Sequence, residues 1–197
     1  MFTMVKNTLR GQVQRRGTQW MKSRLWDAEY AGGKWDCCEA TPGDSLYPYV
    51  EKYCHHGSIL DLGCGSGNTG TELASDCYSQ YTGIDVSQVA IEKAAKRSRQ
   101  CGRGNLNEYS QSDIVAYSPP KKYDVILFRE SVYYIPRPKF AATLERYSHH
   151  LLPAGVFIVS VYSRVDYDWV VRFIEEHYTV VERYLPTDSP EAFLVFR

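Results

Sequence analysis

Ser58-Ile-Leu-Asp-Leu-Gly-Cys-Gly-Ser-Gly-Asn-Thr-Gly70 is the stretch on which the fold turns. Ser58 to Leu62 is a short apolar run, the length of a buried strand. Gly63, Gly65 and Gly67 follow it. Glycine reaches positive φ without strain and lets backbone approach a ligand with no Cβ in the way. Thr69 to Ser75 reads as the start of a helix. Strand, glycine turn and helix N-terminus together are expected to present free backbone N–H groups to a ligand. About twenty residues on, Tyr81-Thr-Gly-Ile-Asp85 reads as a second strand ending in an acid. A carboxylate there can accept from both hydroxyls of a ribose.

The glycine spacing is Gly-x-Gly-x-Gly, with Asn68 where a dinucleotide fingerprint has its third glycine. That disfavours a nicotinamide dehydrogenase. Asp61-Leu-Gly-Cys-Gly-Ser-Gly67 resembles the first motif of the class I S-adenosylmethionine (SAM)-dependent methyltransferases, small-molecule type. Ile84-Asp85-Val86-Ser87 resembles that family's second motif, and the two occur in the family's order and separation. The resemblance implies SAM as cofactor and S-adenosylhomocysteine (SAH) as product. It implies cofactor contacts at Asp61, Gly63, Cys64, Gly65, Gly67, Asp85 and Val86. The third motif is matched by Ser112-Asp113-Ile114, where the family's acid accepts from the adenine amino group; a turn cap is the other reading of Asp113.

The elements along the chain agree. Ser45 to Cys54 reads as a helix, and Val89 to Arg99 as an amphipathic helix capped by Ser87. Leu106 to Ser112 is a third strand. Tyr123-Asp-Val-Ile-Leu-Phe128 is a near-continuous apolar run, as in a strand buried on both faces. Phe140 to Leu152 is a helix closed by a Pro153–Gly155 turn, Val156 to Tyr162 a strand, and Asp166 to His177 a helix. Thr179 to Tyr184 and Ala192 to Phe196 alternate like an antiparallel pair. The expected fold is α/β: a Rossmann-like seven-stranded, mostly parallel sheet with one antiparallel C-terminal strand and helices on both faces. The resemblance spans roughly residues 45 to 197.

The 197 residues suit one domain, and formal net charge is zero. Charge is uneven, however. Lys6, Arg10, Arg15, Arg16, Lys22 and Arg24 precede the first acid, Asp27, and the remainder carries a net −6. Residues 1–24 therefore read as a basic, flexible arm, and 25–197 as a single methyltransferase domain. An acidic body makes nucleic acid a poor partner. An RNA methyltransferase using the arm, or a non-catalytic protein-binding module, are the rival readings. Six cysteines without Cys-x-x-Cys or other paired spacing suit a reducing cytoplasm and neither zinc nor disulfides. No carboxylate cluster suggests a metal, and no run is long and apolar enough for a membrane.

Residues 25–44 contain Trp26, Tyr30 and Trp35 around Gly32-Gly33. They read either as a helix packed on the domain edge or, by the resemblance, as a lid placing Tyr30 near the cofactor's methionine end. Methyl transfer from a sulfonium is an in-line displacement on an activated carbon, so the protein's main tasks are orientation and water exclusion. A general base helps a hydroxyl or ammonium acceptor. Glu130 follows the fourth strand, at the sheet edge where α/β ligands bind. It is read as a general base, as a partner of the methionine ammonium, or as one half of a salt bridge to Arg129 or Arg137. Arg129 is a cofactor candidate. Tyr133 and Tyr134 could line or orient the acceptor, Tyr134 catalytically, or belong to the core. Tyr162 and Arg164, after the next strand, face the same edge; Arg164 could hold an acidic acceptor. The expected acceptor is a small molecule methylated at oxygen or nitrogen.

Overall fold

The computed structural model describes residues 10–14, 16–39 and 41–197. Residues 1–9 of the expected arm, and Arg15, lie outside them. The first long helix, α1 (Gln19–Ala31), is N-capped by Thr18, whose Oγ1 accepts from Met21 N at 3.3 Å. The boundary expected between arm and domain at 24/25 therefore falls inside a continuous helix.

Seven strands follow: β1 (Ser58–Leu62), β2 (Gln80–Asp85), β3 (Asn107–Gln111), β4 (Tyr123–Arg129), β5 (Leu151–Val161), β6 (Val180–Tyr184) and β7 (Ala192–Phe196). Their order is β3-β2-β1-β4-β5-β7-β6. β7 runs antiparallel to both β5 and β6, and the other pairings are parallel. The expected sheet is the observed one. The order reverses at β1, which sends β2 one way and β4 the other. That switch point opens a crevice at the C-terminal ends of the strands.

Alternation across the pleat gives each central strand two buried faces. Leu60, Leu62, Ile126, Phe128 and Phe157 pack with helices α5 (Arg137–Ser148) and α6 (Asp168–His177) through Phe140, Leu144, Tyr147, Val170 and Ile174. Ile59, Val125, Leu127 and Ile158 face the other way, onto Leu46, Tyr47 and Val50 of helix α2 (Tyr47–Cys54). A run such as Tyr123–Phe128 is apolar throughout because both of its faces are covered.

Helix α3 (Asn68–Glu72) is shorter than the expected Thr69–Ser75 start. Helix α4 (Gln88–Gln100) is capped by Ser87, whose Oγ accepts from Ala90 N at 3.1 Å. α5 begins earlier than expected, with Pro138 in its first turn, and ends at Ser148. The Pro153–Gly155 turn is instead part of β5, at an irregularity opposite Tyr123 and Val125. A Cβ on Gly155 would stand 2.8 Å from Tyr123 O, so only glycine allows that approach. Among the described residues, no helix is long and apolar enough to cross a membrane.

Candidate active site

The crevice is a cavity of about 680 Å³, within the roughly 300–1,000 Å³ usual for small-molecule sites. Its floor is the turn after β1. Gly63, Gly65 and Gly67 have φ of 85°, 54° and 80°, which L side chains adopt only under strain. The turn is tied to the sheet: Gly63 N and Cys64 N both donate to Ile84 O, at 2.8 and 2.9 Å. Gly65 N donates to Asp85 Oδ2 at 3.1 Å. These three amides are thus spent on β2 and are not the free donors expected. What the turn offers is bare backbone, low enough for a ligand to lie across Gly63 and Gly65.

Asp85 holds that turn with one oxygen and accepts from Ser87 N at 2.9 Å with the other. A carboxylate has about four acceptor positions, so room remains for a vicinal diol. Burial pushes the Asp85 carboxyl up to about 6, against the pull of the Ser87 and Gly65 amides. Asp113 also lines the cavity. Its Oδ1 accepts from Val115 N at 2.7 Å, which is the turn-cap role, and its Oδ2 pairs with Lys22 Nζ at 2.7 Å.

Cys64, Val86, Ile114, Arg129 and Tyr30 reach the cavity wall as expected. Asp61 and Gly67 do not line it. Asp61 is buried beneath the turn and accepts from the Tyr81 hydroxyl, with Oδ1 left without a partner. Burial raises its carboxyl to about 6. Gly67 is a packing position: a Cβ there would stand 2.8 Å from Ala94 Cβ. Both residues shape the turn from behind.

Glu130 sits at the mouth of β4 with φ 54°, a conformation that is costly without glycine and is found disproportionately at functional sites. Its carboxylate accepts from Ser160 Oγ at 2.8 Å, Tyr162 N at 2.8 Å and Tyr133 Oη at 3.1 Å. Burial nevertheless outweighs these donors and raises its pKa above the usual carboxylate range. The salt bridge read from sequence does not form. Arg129 pairs with Asp44 and donates to Thr41 Oγ1, and Arg137 lies over the Trp169 ring at 4.7 Å. Tyr133, Tyr134 and Tyr162 line the cavity. Arg164 does not: its Nη1 donates to Pro186 O at 3.1 Å and its backbone N to Pro190 O at 2.7 Å, which ties down the segment before β7. Among the described residues, no three His, Cys, Asp or Glu side chains are grouped to hold a metal.

Sequence reasoning offered residues 25–44 as a lid but missed the residues before them. Arg10, Gln14 and Lys22 line the cavity together with Trp26 and Trp35 of that segment. Lys22, Trp26 and Tyr30 are spaced four apart on α1, and that spacing was a readable signal for one helix face. Lys22 reaches Asp113. Trp26 meets Tyr134 edge-on at 5.2 Å. The Tyr30 hydroxyl stands 2.7 Å from where a Gly65 Cβ would be. Asp27, on another face, accepts from Ser87 Oγ at 2.7 Å and Val89 N at 3.2 Å, an acid at the N-terminus of α4. α1 is therefore docked across the mouth of the crevice. The adjacent Cys37 and Cys38, read as unpaired, place their sulfurs 3.6 Å apart as thiols at its rim.

Residues 59–155 match the family described as "Methyltransferase domain". That match, the fold and the two sequence motifs assign this domain to the class I SAM-dependent methyltransferases. A ubiquinone biosynthesis O-methyltransferase of Rickettsia canadensis is 31% identical over 121 residues, covering 61% of this chain and 49% of that protein. A sterol 24-C-methyltransferase of Neurospora crassa is 23% identical over 155 residues, covering 73% and 38%. The chain spans about half the length, or less, of the curated relatives it matches first. The N-methyltransferase NodS of Bradyrhizobium japonicum, solved with SAH, superposes with a TM-score of 0.71 at 20% identity over 89% of this chain and 97% of NodS. The glycopeptide N-methyltransferase MtfA, solved with sinefungin, gives 0.68 at 13% identity over 80% and 87%.

The residues present fit the family's cofactor. The glycines let the Ser131 and Tyr30 side chains come close over the turn while it still lines the cavity, Asp85 keeps acceptor capacity for a ribose, and aromatic faces and acids at the mouth suit a sulfonium cation.

Proposed function

We propose that this chain transfers a methyl group from SAM to an oxygen or nitrogen of a small-molecule acceptor. The observation that carries the reading is one continuous cavity bounded by the glycine turn and Asp85 on one side and by the half-buried Glu130 carboxylate on the other. The cofactor supplies an activated methyl carbon when bound. Asp85 holds the ribose, Asp113 the adenine amino group, and Tyr30 with α1 closes over the turn. Tyr133, Tyr134 and Tyr162 orient the acceptor, and Tyr134 and Trp26 exclude water beside it.

Glu130 acts as the general base. Its raised pKa brings it closer to the working pH, where a carboxylate is a more effective proton acceptor. An acceptor lone pair forms the new bond to the methyl carbon as the carbon–sulfur bond breaks, and the acceptor's proton passes to Glu130. The O-methyltransferase relatives and the N-methyltransferase neighbours support a small acceptor without choosing between the two atoms. The cavity is closed over by the chain's own α1, and the two N-terminal cations that line it, Arg10 and Lys22, pair with Glu29 and Asp113 of the same chain; this argues against their use in an RNA-binding arm. Six free thiols suit a reducing compartment such as the cytoplasm.

The test is calorimetric titration with SAH. Wild type should bind in the micromolar range, and Asp85→Ala should lose binding while retaining its circular dichroism. Absence of SAH binding by the folded wild type overturns the proposal.

A further inference from the structure

Gln14 is a buried polar side chain that the reading above leaves without a task. It is 7% exposed, its Nε2 has no hydrogen-bond partner among the described residues, and it lines the cavity. A buried amide N–H₂ with nothing to donate to is unfavourable. A ligand oxygen accepting from it removes that penalty.

Its neighbours say which half of the cavity it serves. Residues 10–14 are helical, so Arg10 and Gln14 lie one turn apart on the same side. The Arg10 guanidinium sits 5.8 Å from the centre of the Trp26 ring, and Trp26 meets Tyr134 edge-on. Tyr134 packs against Tyr133, which donates to Glu130. Gln14 therefore joins the N-terminal wall that runs through Trp26 and Tyr134 to Tyr133 and Glu130. That wall is aromatic, with rings set edge to face and tilted, which suits an aromatic ring.

Charge narrows the ligand further. Arg10 pairs with Glu29 at 2.5 Å, Lys22 with Asp113 at 2.7 Å, and Arg129 with Asp44. These cations of the cavity wall are already matched, and Glu130 and Asp85 oppose an anion. A cationic substituent is disfavoured beside Gln14, because the Arg10 guanidinium one turn away sits over the Trp26 ring.

Resting on the methyltransferase reading, we infer that Gln14 is a specificity-determining residue: its Nε2 donates a hydrogen bond to a neutral oxygen substituent of a flat aromatic acceptor. The amide selects oxygen, and the carboxylates of Glu130 and Asp85 in the same cavity set the charge by opposing an anion, so uncharged acceptors are bound in preference to carboxylates or amines.

The experiment uses the full chain loaded with SAH and reads intrinsic tryptophan fluorescence, since Trp26 and Trp35 line the cavity. The probes share a phenol and differ at the para position: 4-hydroxybenzyl alcohol, p-cresol, 4-hydroxybenzoate and tyramine. The alcohol should bind tightest. Gln14→Met, which keeps the size, should weaken the alcohol roughly threefold to tenfold, the scale of one neutral hydrogen bond, and leave p-cresol and SAH within twofold. Gln14→Glu should move the preference toward tyramine. Three results overturn the inference: equal weakening of the alcohol and p-cresol by Gln14→Met, a change confined to SAH affinity, or no saturable binding of any probe to the SAH-loaded protein. Loss of SAH binding by wild type would instead remove the methyltransferase reading itself.

Discussion

The two halves of this cavity are built on different principles. The floor is backbone: a glycine turn between β1 and α3, tied to the next strand through Ile84 O and the Asp85 carboxylate. The wall opposite is side chains, from residues 10–35, the segment after β4, the end of β5 and the start of β7. The floor comes from residues within about one βαβ unit. The wall joins residues as much as 183 apart, Arg10 and Phe193 among them. A backbone floor serves a cofactor common to many enzymes. A side-chain wall can be changed residue by residue to suit one acceptor.

If that division is right, substitutions should separate cleanly by half. The largest expected effect is on the wall: Glu130→Gln should lower kcat by roughly 10²–10⁴, the range for a general base, with SAH affinity unchanged by calorimetry. An equal loss of SAH affinity would place Glu130 on the cofactor side and break the comparison. On the floor, Gly67→Ala should cost about 2–4 kcal/mol in urea unfolding, because φ of 80° is strained for alanine and its Cβ meets Ala94. Activity of the folded fraction at saturating SAM should survive.

A third test reads the pH dependence of the floor. Asp61 is raised from 3.8 to about 6 in the folded chain. Between those values the native state binds more protons than the unfolded one, so stability falls as pH rises through that window. The stability that the neutral acid allows is present below pH 4 and lost above about 6. Asp61→Asn should flatten this decline by roughly 1 kcal/mol in denaturant melts at pH 5 and 7.5; an unchanged slope would put the titration elsewhere, with Asp85 the next candidate. The smallest effect concerns the bond between the halves. Lys22→Met should tighten SAH binding about twofold to threefold at low salt, since Asp113 then meets the adenine amino group without first leaving an ion pair. Weaker binding would show that Lys22 holds α1 as a cover the cofactor needs.

Legibility followed the same line. Gly63, Gly65 and Asp85 were readable because each is demanded by local geometry within a short stretch. Gly67 was readable as a glycine, but its reason is Ala94 behind it, not a ligand in front. Asp61 matched the motif, yet serves Tyr81 under the turn. Arg164 stood at the right edge and turned to the Pro186 carbonyl, because the return of the chain before β7 passes there. Glu130 and Tyr133 were chosen for their place after β4, though their mutual hydrogen bond had no sequence signal.

By itself, the sequence determined the seven-stranded sheet, its antiparallel last strand and the glycine turn after β1. Strand and helix periods, glycines and caps act over a few residues, so their consequences are written locally. Tertiary structure alone decided that α1 crosses the crevice, that Lys22 rather than solvent meets Asp113, and that Gln14 is buried with an unused donor. Those outcomes depend on which distant surfaces meet, and burial, which sets the value of every polar group here, exists only once they have met.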